Sequence, residues 1–379
     1  MKENVLFITN QIVYPAFDGG KKISLSLIMS LHDKGHNVTV VSFNVMGHNE
    51  EPSVTFFKEK GIKYIIVKTK KFYKRHMLFT YILDYFLGIF SILPRYVQNR
   101  LDHDIKEKIN KIIHENNITR VYLDSMWLAE NIDNAYTNLV WLIEHNIEYI
   151  LSRELAKCEK NIIKKFLLYY ESLRIFFYEK KNLTKLPHII FLSSYDRDFA
   201  IKKFRIDPTK CILNDNKLFL EYSIEHKGDG NYLLFPGSLT FLPNLEGILW
   251  FLHHCFPHIL KHYPDITLKI TGPYDEKIKN KILKKYTNVV FTNIVSDDTM
   301  KSLLTHCLCV ISPILSGSGI KIKNIEAIQI GVPIVMTEFS ARGIENYGGD
   351  KFKFCNSNSP EEFTSKLLDL IKRYTDTQR

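Results

Sequence analysis

"NVLFITNQIVYPAFDGGKKISLSLIMSLHDKGHNVTVVSF", residues 4–43, holds the pattern that decides the fold. "NVLFIT" is an apolar run of strand length, and "ISLSLIMSLHDKG", residues 23–35, spaces its apolar side chains for a helix and stops at Gly35. "NVTVVSF" then predicts a second strand. A strand, a glycine-bearing loop, a helix and another strand make the opening of a doubly wound parallel sheet.

The pattern continues with strands expected at residues 63–68, 120–125, 139–145 and 188–194, separated by helical segments. It restarts after "KGDGNY" with "YLLFPGS" (232–238), followed by a helix over 244–263, the strand "TLKITGP" and a helix near 276–285. "NVVFTN", "LCVISPI" and "GVPIVMT" then predict three more strands. At 379 residues the chain is longer than one core usually serves. The fold class expected is therefore α/β, with two Rossmann-like domains in series, residues 1–205 and 206–358. The start signal Ser359-Pro360-Glu361-Glu362 opens a last helix, 359–379, expected to pack back on the N-terminal domain.

With 45% apolar residues both domains can fill a core. The six cysteines show neither a C-x-x-C pair nor zinc-like spacing, and the N-terminal apolar run is too short for a signal peptide. The reading is a cytoplasmic chain with reduced cysteines. A net charge of +10 suits an anionic partner, whether nucleic acid, membrane surface or phosphorylated small molecule, and does not choose among them. The 25 Phe, 20 Tyr and 3 Trp are not interleaved with basic residues in a nucleic-acid motif, so no nucleic-acid partner is expected.

Three loops after predicted strands could hold a phosphate, since helix N-termini present unpaired N–H groups there. The first, "PAFDGGKK" (15–22), offers Gly19, Gly20, Lys21 and Lys22 but is neither a dinucleotide fingerprint nor a Walker loop, and a plain glycine turn explains it equally well. The second, "FPGSLTFLPN" (235–244), offers Gly237 and Ser238. The third is "SGSGIKIKNIEA" (316–327). With a helix beginning near Gly319, the N–H groups of Ser316, Gly317, Ser318 and Gly319 would form an anion-binding concavity, completed by Lys321 and Lys323. Glu326 falls among Ile322, Ile325, Ala327 and Ile330, where a carboxylate needs a partner such as ribose hydroxyls. The simpler alternative is that it faces solvent or pairs with Lys323.

"PILSGSGIKIKNIEAIQIGVPIVMTEFSARGI", residues 313–344, resembles the nucleotide-sugar segment of GT-B glycosyltransferases of the retaining family 4. "YPAFDGGKK" with its ensuing helix, "EHNIEY" (144–149) and "FPGSLTFLPNLEGILWF" are similar to other parts of that family, in its order. The resemblance implies two domains facing a cleft, the first for a glycan or lipid-linked acceptor and the second for a nucleoside-diphosphate sugar. It implies retention of configuration, no obligatory cofactor or metal, and a place in bacterial cell-surface polysaccharide synthesis. Glu326 then corresponds to the ribose-binding glutamate, His145 to the histidine near the transferred sugar, with Asn146 and Glu148 beside it, and Gly19 and Gly20 to the loop over the diphosphate. Two departures stand out. Ser318 occupies the position of a second glutamate that contacts the donor sugar, and "SLTFLPN" lacks the cations that usually grip the diphosphate, a role left to Lys321 or Lys323. The serine leaves room for a non-catalytic sugar-nucleotide-binding relative or an epimerase.

Residues 68–97 join a basic patch, Lys68, Lys70, Lys71, Lys74 and Arg75, to an apolar aromatic run interrupted by Asp84 and Gly88. Such a run is expected to pack at the acceptor side or to dock on an anionic membrane surface, and not to span it.

Overall fold

The computed structural model describes residues 2–45, 47–68, 88, 91–220, 224–317, 319–344, 350–356 and 359–376. They form two compact units, Met1–Phe219 and Leu220–Arg379.

In the first unit the chain runs through β1 (Asn4–Thr9), α1 (Gly19–Asp33), β2 (Asn37–Phe43), α2 (Glu51–Glu59), β3 (Lys63–Val67), α3 (Arg95–Gln98), α4 (His103–Glu115), β4 (Arg120–Leu123) and β5 (Val140–Glu144). It continues through α5 (Glu148–Cys158), α6 (Ile162–Lys185), β6 (His188–Phe191), α7 (Ser194–Phe204) and β7 (Cys211–Leu213). The sheet is parallel in the order β3-β2-β1-β4-β5-β6-β7. Val5 to Thr9 are all buried, as expected of a parallel strand covered on both faces. The strand order reverses between β1 and β4, so the carboxyl ends of these two strands border the crevice where such sheets take ligands.

The second unit contains β8 (Tyr232–Pro236), α8 (Leu242–His254), α9 (Phe256–His262), β9 (Thr267–Thr271), α10 (Glu276–Leu283), β10 (Val289–Asn293) and α11 (Asp297–His306). It ends with β11 (Cys309–Ser312), α12 (Ile322–Gln329), β12 (Ile334–Thr337), β13 (Phe352–Cys355) and α13 (Pro360–Asp376). Its parallel sheet has the order β10-β9-β8-β11-β12-β13, with the reversal between β8 and β11. The glycine loops at 237 and 316–319 follow these two strands.

Several expectations are corrected. The first unit extends past residue 205 because β7 hydrogen-bonds to β6 and completes the first sheet. The C-terminal helix is part of the second unit, where it buries Phe363, Leu367, Leu370 and Ile371 in that unit's core. The single helix expected over 244–263 is two, α8 and α9, and Pro257 falls in the first turn of the second. There a proline has no N–H to forfeit. Elsewhere the caps are where the sequence places them, with Ser296 Oγ accepting from Thr299 N and Ser359 Oγ from Glu362 N.

Candidate active site

In the first unit the loop after β1 enters α1 directly at Gly19, four residues earlier than the apolar spacing suggests, so Gly19 and Gly20 form the helix's first turn. Asp18 is the N-cap, its carboxylate accepting from Lys21 N at 3.0 Å. A helix leaves its first N–H groups without intrahelical acceptors, and Asp18 takes that of Lys21. Those of Gly19 and Gly20 remain at the carboxyl end of β1, at the sheet's reversal.

His145 follows β5, and its Nε2 lies 2.7 Å from Asp124 Oδ1 at the end of β4. A carboxylate only accepts, so Nε2 carries the proton and donates it, which fixes the ring. Asp124 is 3% exposed, and its other oxygen accepts from Ser24 Oγ on α1 at 2.7 Å. Three elements from the sheet's centre thus meet in one chain, Ser24 to Asp124 to His145. Burial works against the charged imidazole, but the Asp124 carboxylate outweighs it by charge and hydrogen bond, Glu148 and Asp18 add to it, and the histidine is held above its ordinary range.

Behind His145 stands a group of carboxyls that the sequence reading did not single out beyond Glu148. Glu179, on α6, accepts from Glu148 N at 2.8 Å and Tyr149 N at 3.1 Å, so it satisfies the first turn of α5, whose N-cap Ile147 has no side-chain oxygen. Glu144 is buried with Oε2 lacking a hydrogen-bond partner. Burial, then the neighbouring acids, pushes both Glu144 and Glu179 well above the carboxylate range. Glu148 is pushed up to about 7 by burial, against the opposing pull of His145, Asn146 and Arg100.

In the second unit α12 begins at Ile322, three residues later than Gly319, and has Lys321 as N-cap without a side-chain cap bond. Glu326 is therefore one turn into the helix and not two, and it is buried at 6% exposure, not turned to solvent. Gly317 and Gly319 adopt φ of +104° and +70°, the left-handed region that favours glycine, so the loop's path depends on them. Ser318 lies outside the described residues. Ser316 Oγ donates to Glu246 Oε2 on α8 at 3.0 Å, and Lys321 Nζ donates back to Gly319 O at 2.8 Å.

Lys323 does not pair with Glu326. Its Nζ donates to Asn244 Oδ1 at 3.2 Å and stands 3.9 Å from the centre of the Phe235 ring, while Asn244 Nδ2 donates to Ser238 O at 2.9 Å. The lysine of the third loop is thus joined to the second loop, where the sequence offers no cation of its own. A Cβ at Gly237 would come within 3.1 Å of Asn244 Nδ2 and of the Phe235 ring, so a side chain there would press on both. Burial and then the neighbouring Lys321 hold the Lys323 ammonium well below the ordinary lysine range. A cation so placed gains from an anion that enters beside it. No group of metal-ligating side chains occurs among the described residues.

Residues 230–373 match the model of the glycosyl transferases group 1 family. Over 362 residues the chain is 24% identical to an uncharacterized 44.6 kDa protein in the cps region of Klebsiella pneumoniae, covering 93% of this chain and 87% of that protein. Among solved structures it is similar to Anabaena Alr3699/HepE in complex with UDP and glucose, with a TM-score of 0.63 at 13% identity, covering 99% of this chain and 91% of that one. It is also similar to a mutant of S. aureus TarM in complex with fondaparinux, alpha-GlcNAc-glycerol and UDP, with a TM-score of 0.65 at 10% identity and coverage of 99% and 94%. The family match falls within the second unit, and the two parallel sheets with their flanking helices share the GT-B fold of these neighbours.

Proposed function

We propose that the protein transfers a hexosyl group, with retention, from a nucleoside-diphosphate sugar to a glycan or lipid-linked acceptor in cell-surface polysaccharide synthesis. The observation that carries the donor half is the meeting of two glycine loops at the second sheet's reversal, joined through Ser238, Asn244 and Lys323 and followed by buried Glu326. Breaking a glycosidic bond to a diphosphate places negative charge on the leaving oxygens. N–H groups of Ser316, Gly317 and Gly319, with Lys321 and Lys323, stabilise that charge without reorganising. Glu326 accepts from the ribose hydroxyls. The bound UDP of the Anabaena and S. aureus neighbours supports a uridine nucleotide as first choice.

In the first unit His145 contacts a hydroxyl of the transferred sugar. Asp124 holds Nε2, so Nδ1 is the nitrogen offered to substrate, and the ring acts as a fixed positioning group. Gly19 and Gly20 supply N–H groups toward the reacting centre, with Lys21 and Lys22 beside them, while Asn146 and Glu148 line the acceptor side. The cps-region relative supports a polysaccharide acceptor. Among the described residues no helix is long and apolar enough to cross a membrane. A place at the inner face of the cell membrane is part of this proposal.

A thermal-shift screen with nucleotide sugars tests the reading. One sugar nucleotide and its diphosphate should each raise Tm, since any ligand that binds only the folded state stabilises it. A flat response to all of them overturns it.

A further inference from the structure

α6 buries one face and leaves the other bare. Ile175, Tyr178 and Leu183 are in the core, whereas Ile162, Ile163, Phe166, Leu173 and Phe177 are between 54% and 78% exposed and Tyr170 is 37% exposed. At about 100° per residue these six side chains fall within an arc of roughly 100°. From Ile162 to Phe177 the stripe is about 22 Å long at 1.5 Å per residue. Isolated exposed apolar residues are ordinary, but a continuous apolar stripe of this length marks an interaction face.

The charges at its ends narrow the occupant. Lys160 is exposed just before the amino end, and Lys180 and Lys181, which fall on the same arc, are exposed at the other. Lys181 lies 3.8 Å from Glu130 on its own unit, and Glu171, the carboxylate within the stripe's span, is committed to Arg174 at 2.7 Å. Pairing with a second copy of the same helix would set lysines against lysines whichever way the two helices ran, a like-charge contact that opposes association. An apolar stripe between cationic ends instead matches the boundary of an anionic bilayer, where rings enter the acyl region and lysines reach the headgroups.

We propose that the exposed face of α6 docks the protein on an anionic membrane surface, with Phe166, Leu173 and Phe177 inserted and Lys160, Lys180 and Lys181 on the headgroups. This rests on the reading of a lipid-linked acceptor and names the surface that reaches it. It also moves the docking element away from the basic run at 68–75, of which only Lys68 is among the described residues.

The test is flotation of the full chain with phosphatidylcholine vesicles, with and without about one third phosphatidylglycerol. The wild type should float with the anionic vesicles, lose binding as salt is raised and stay behind with neutral ones. Phe166→Glu with Phe177→Glu should lower binding at least tenfold, while the Tm shift given by the nucleoside diphosphate stays unchanged. That shift shows the variant is folded, and it separates failure of docking from failure of the donor reading. The proposal is overturned if the wild type ignores anionic vesicles, if it binds neutral ones equally, or if the double variant floats like the wild type. A wild-type dimer that the double variant converts to monomer in light scattering also overturns it, and assigns the face to a second copy.

Discussion

The two units solve the same topological problem with different materials. In the first, the carboxyl ends of the central strands carry polar and ionisable side chains that hold one another, with Ser24, Asp124 and His145 in line and three buried or half-buried acids, Glu144, Glu148 and Glu179, behind them. In the second, the corresponding ends carry glycine loops, and one half-buried lysine ties them together. The difference suits the ligands proposed for each. A diphosphate can be held by backbone N–H groups, which any sequence with the right glycines supplies. A neutral sugar hydroxyl needs a side chain whose proton is fixed, and that takes a carboxylate to fix it.

The sharpest way to break the comparison is to remove the central residue of each unit in turn. His145→Ala should lower kcat/KM for transfer at least 100-fold, about 2.7 kcal/mol of lost transition-state stabilisation, and leave the affinity for nucleoside diphosphate within twofold. Lys323→Ala should do the reverse in binding, weakening nucleoside diphosphate about tenfold by calorimetry. Without ligand this variant should be no less stable than the wild type at pH 7, because the ammonium it loses is disfavoured by burial. If both variants lose nucleotide affinity alike, the division of labour between the units fails.

A smaller effect tests what fixes the histidine. Asp124→Asn keeps the shape of the side chain and removes its charge, so the His145 pKa, read by NMR, should fall. A histidine whose folded pKa is raised contributes stability that is full below its unfolded pKa and is lost as pH rises through the folded one. The variant should therefore be destabilised by about 1–2 kcal/mol near pH 6 in denaturant unfolding, and by less at pH 9. An equal loss at both pH values would mean that Asp124 serves packing alone.

How much of this was legible in the chain follows from what each signal depends on. The strands of both sheets could be read because parallel strands buried on both faces are short unbroken apolar runs, as in "NVLFIT" and "NVTVVSF". β13 escaped because "FKFC" is brief and interrupted by a lysine, and β7 because three residues make no pattern. The glycine loops were legible since conformation demands the residue type, although where α12 begins was not. Asp124 looked like an ordinary polar residue at the end of "RVYLD". Its meaning is its contact with Ser24, a hundred positions earlier, and with His145. The long-range partners of Glu148 were hidden for the same reason, because Glu179 reaches its N–H from a helix 31 residues away.

Glu148 gives the smallest effect and the finest test of the first unit. Its carboxyl is pushed up to about 7, so between the ordinary glutamate range and pH 7 the folded chain holds a proton that the unfolded chain has released. Stability from this group is therefore greatest at low pH and falls as pH rises to 7, after which the full cost of the ionised side chain remains. Glu148→Gln removes that cost and keeps the shape. Because the residue is half-buried, solvent screening reduces the gain, which should be about 1 kcal/mol at pH 8 and near zero at pH 5. Thermal unfolding at the two pH values measures it. Near pH 7 the gain should be larger in a His145→Ala background, where no imidazolium remains to favour the Glu148 carboxylate. Persistence of the same gain at pH 5 and pH 8 would show that the acids behind the histidine do not titrate as a group, and would leave Glu179's hold on the start of α5 as their remaining contribution.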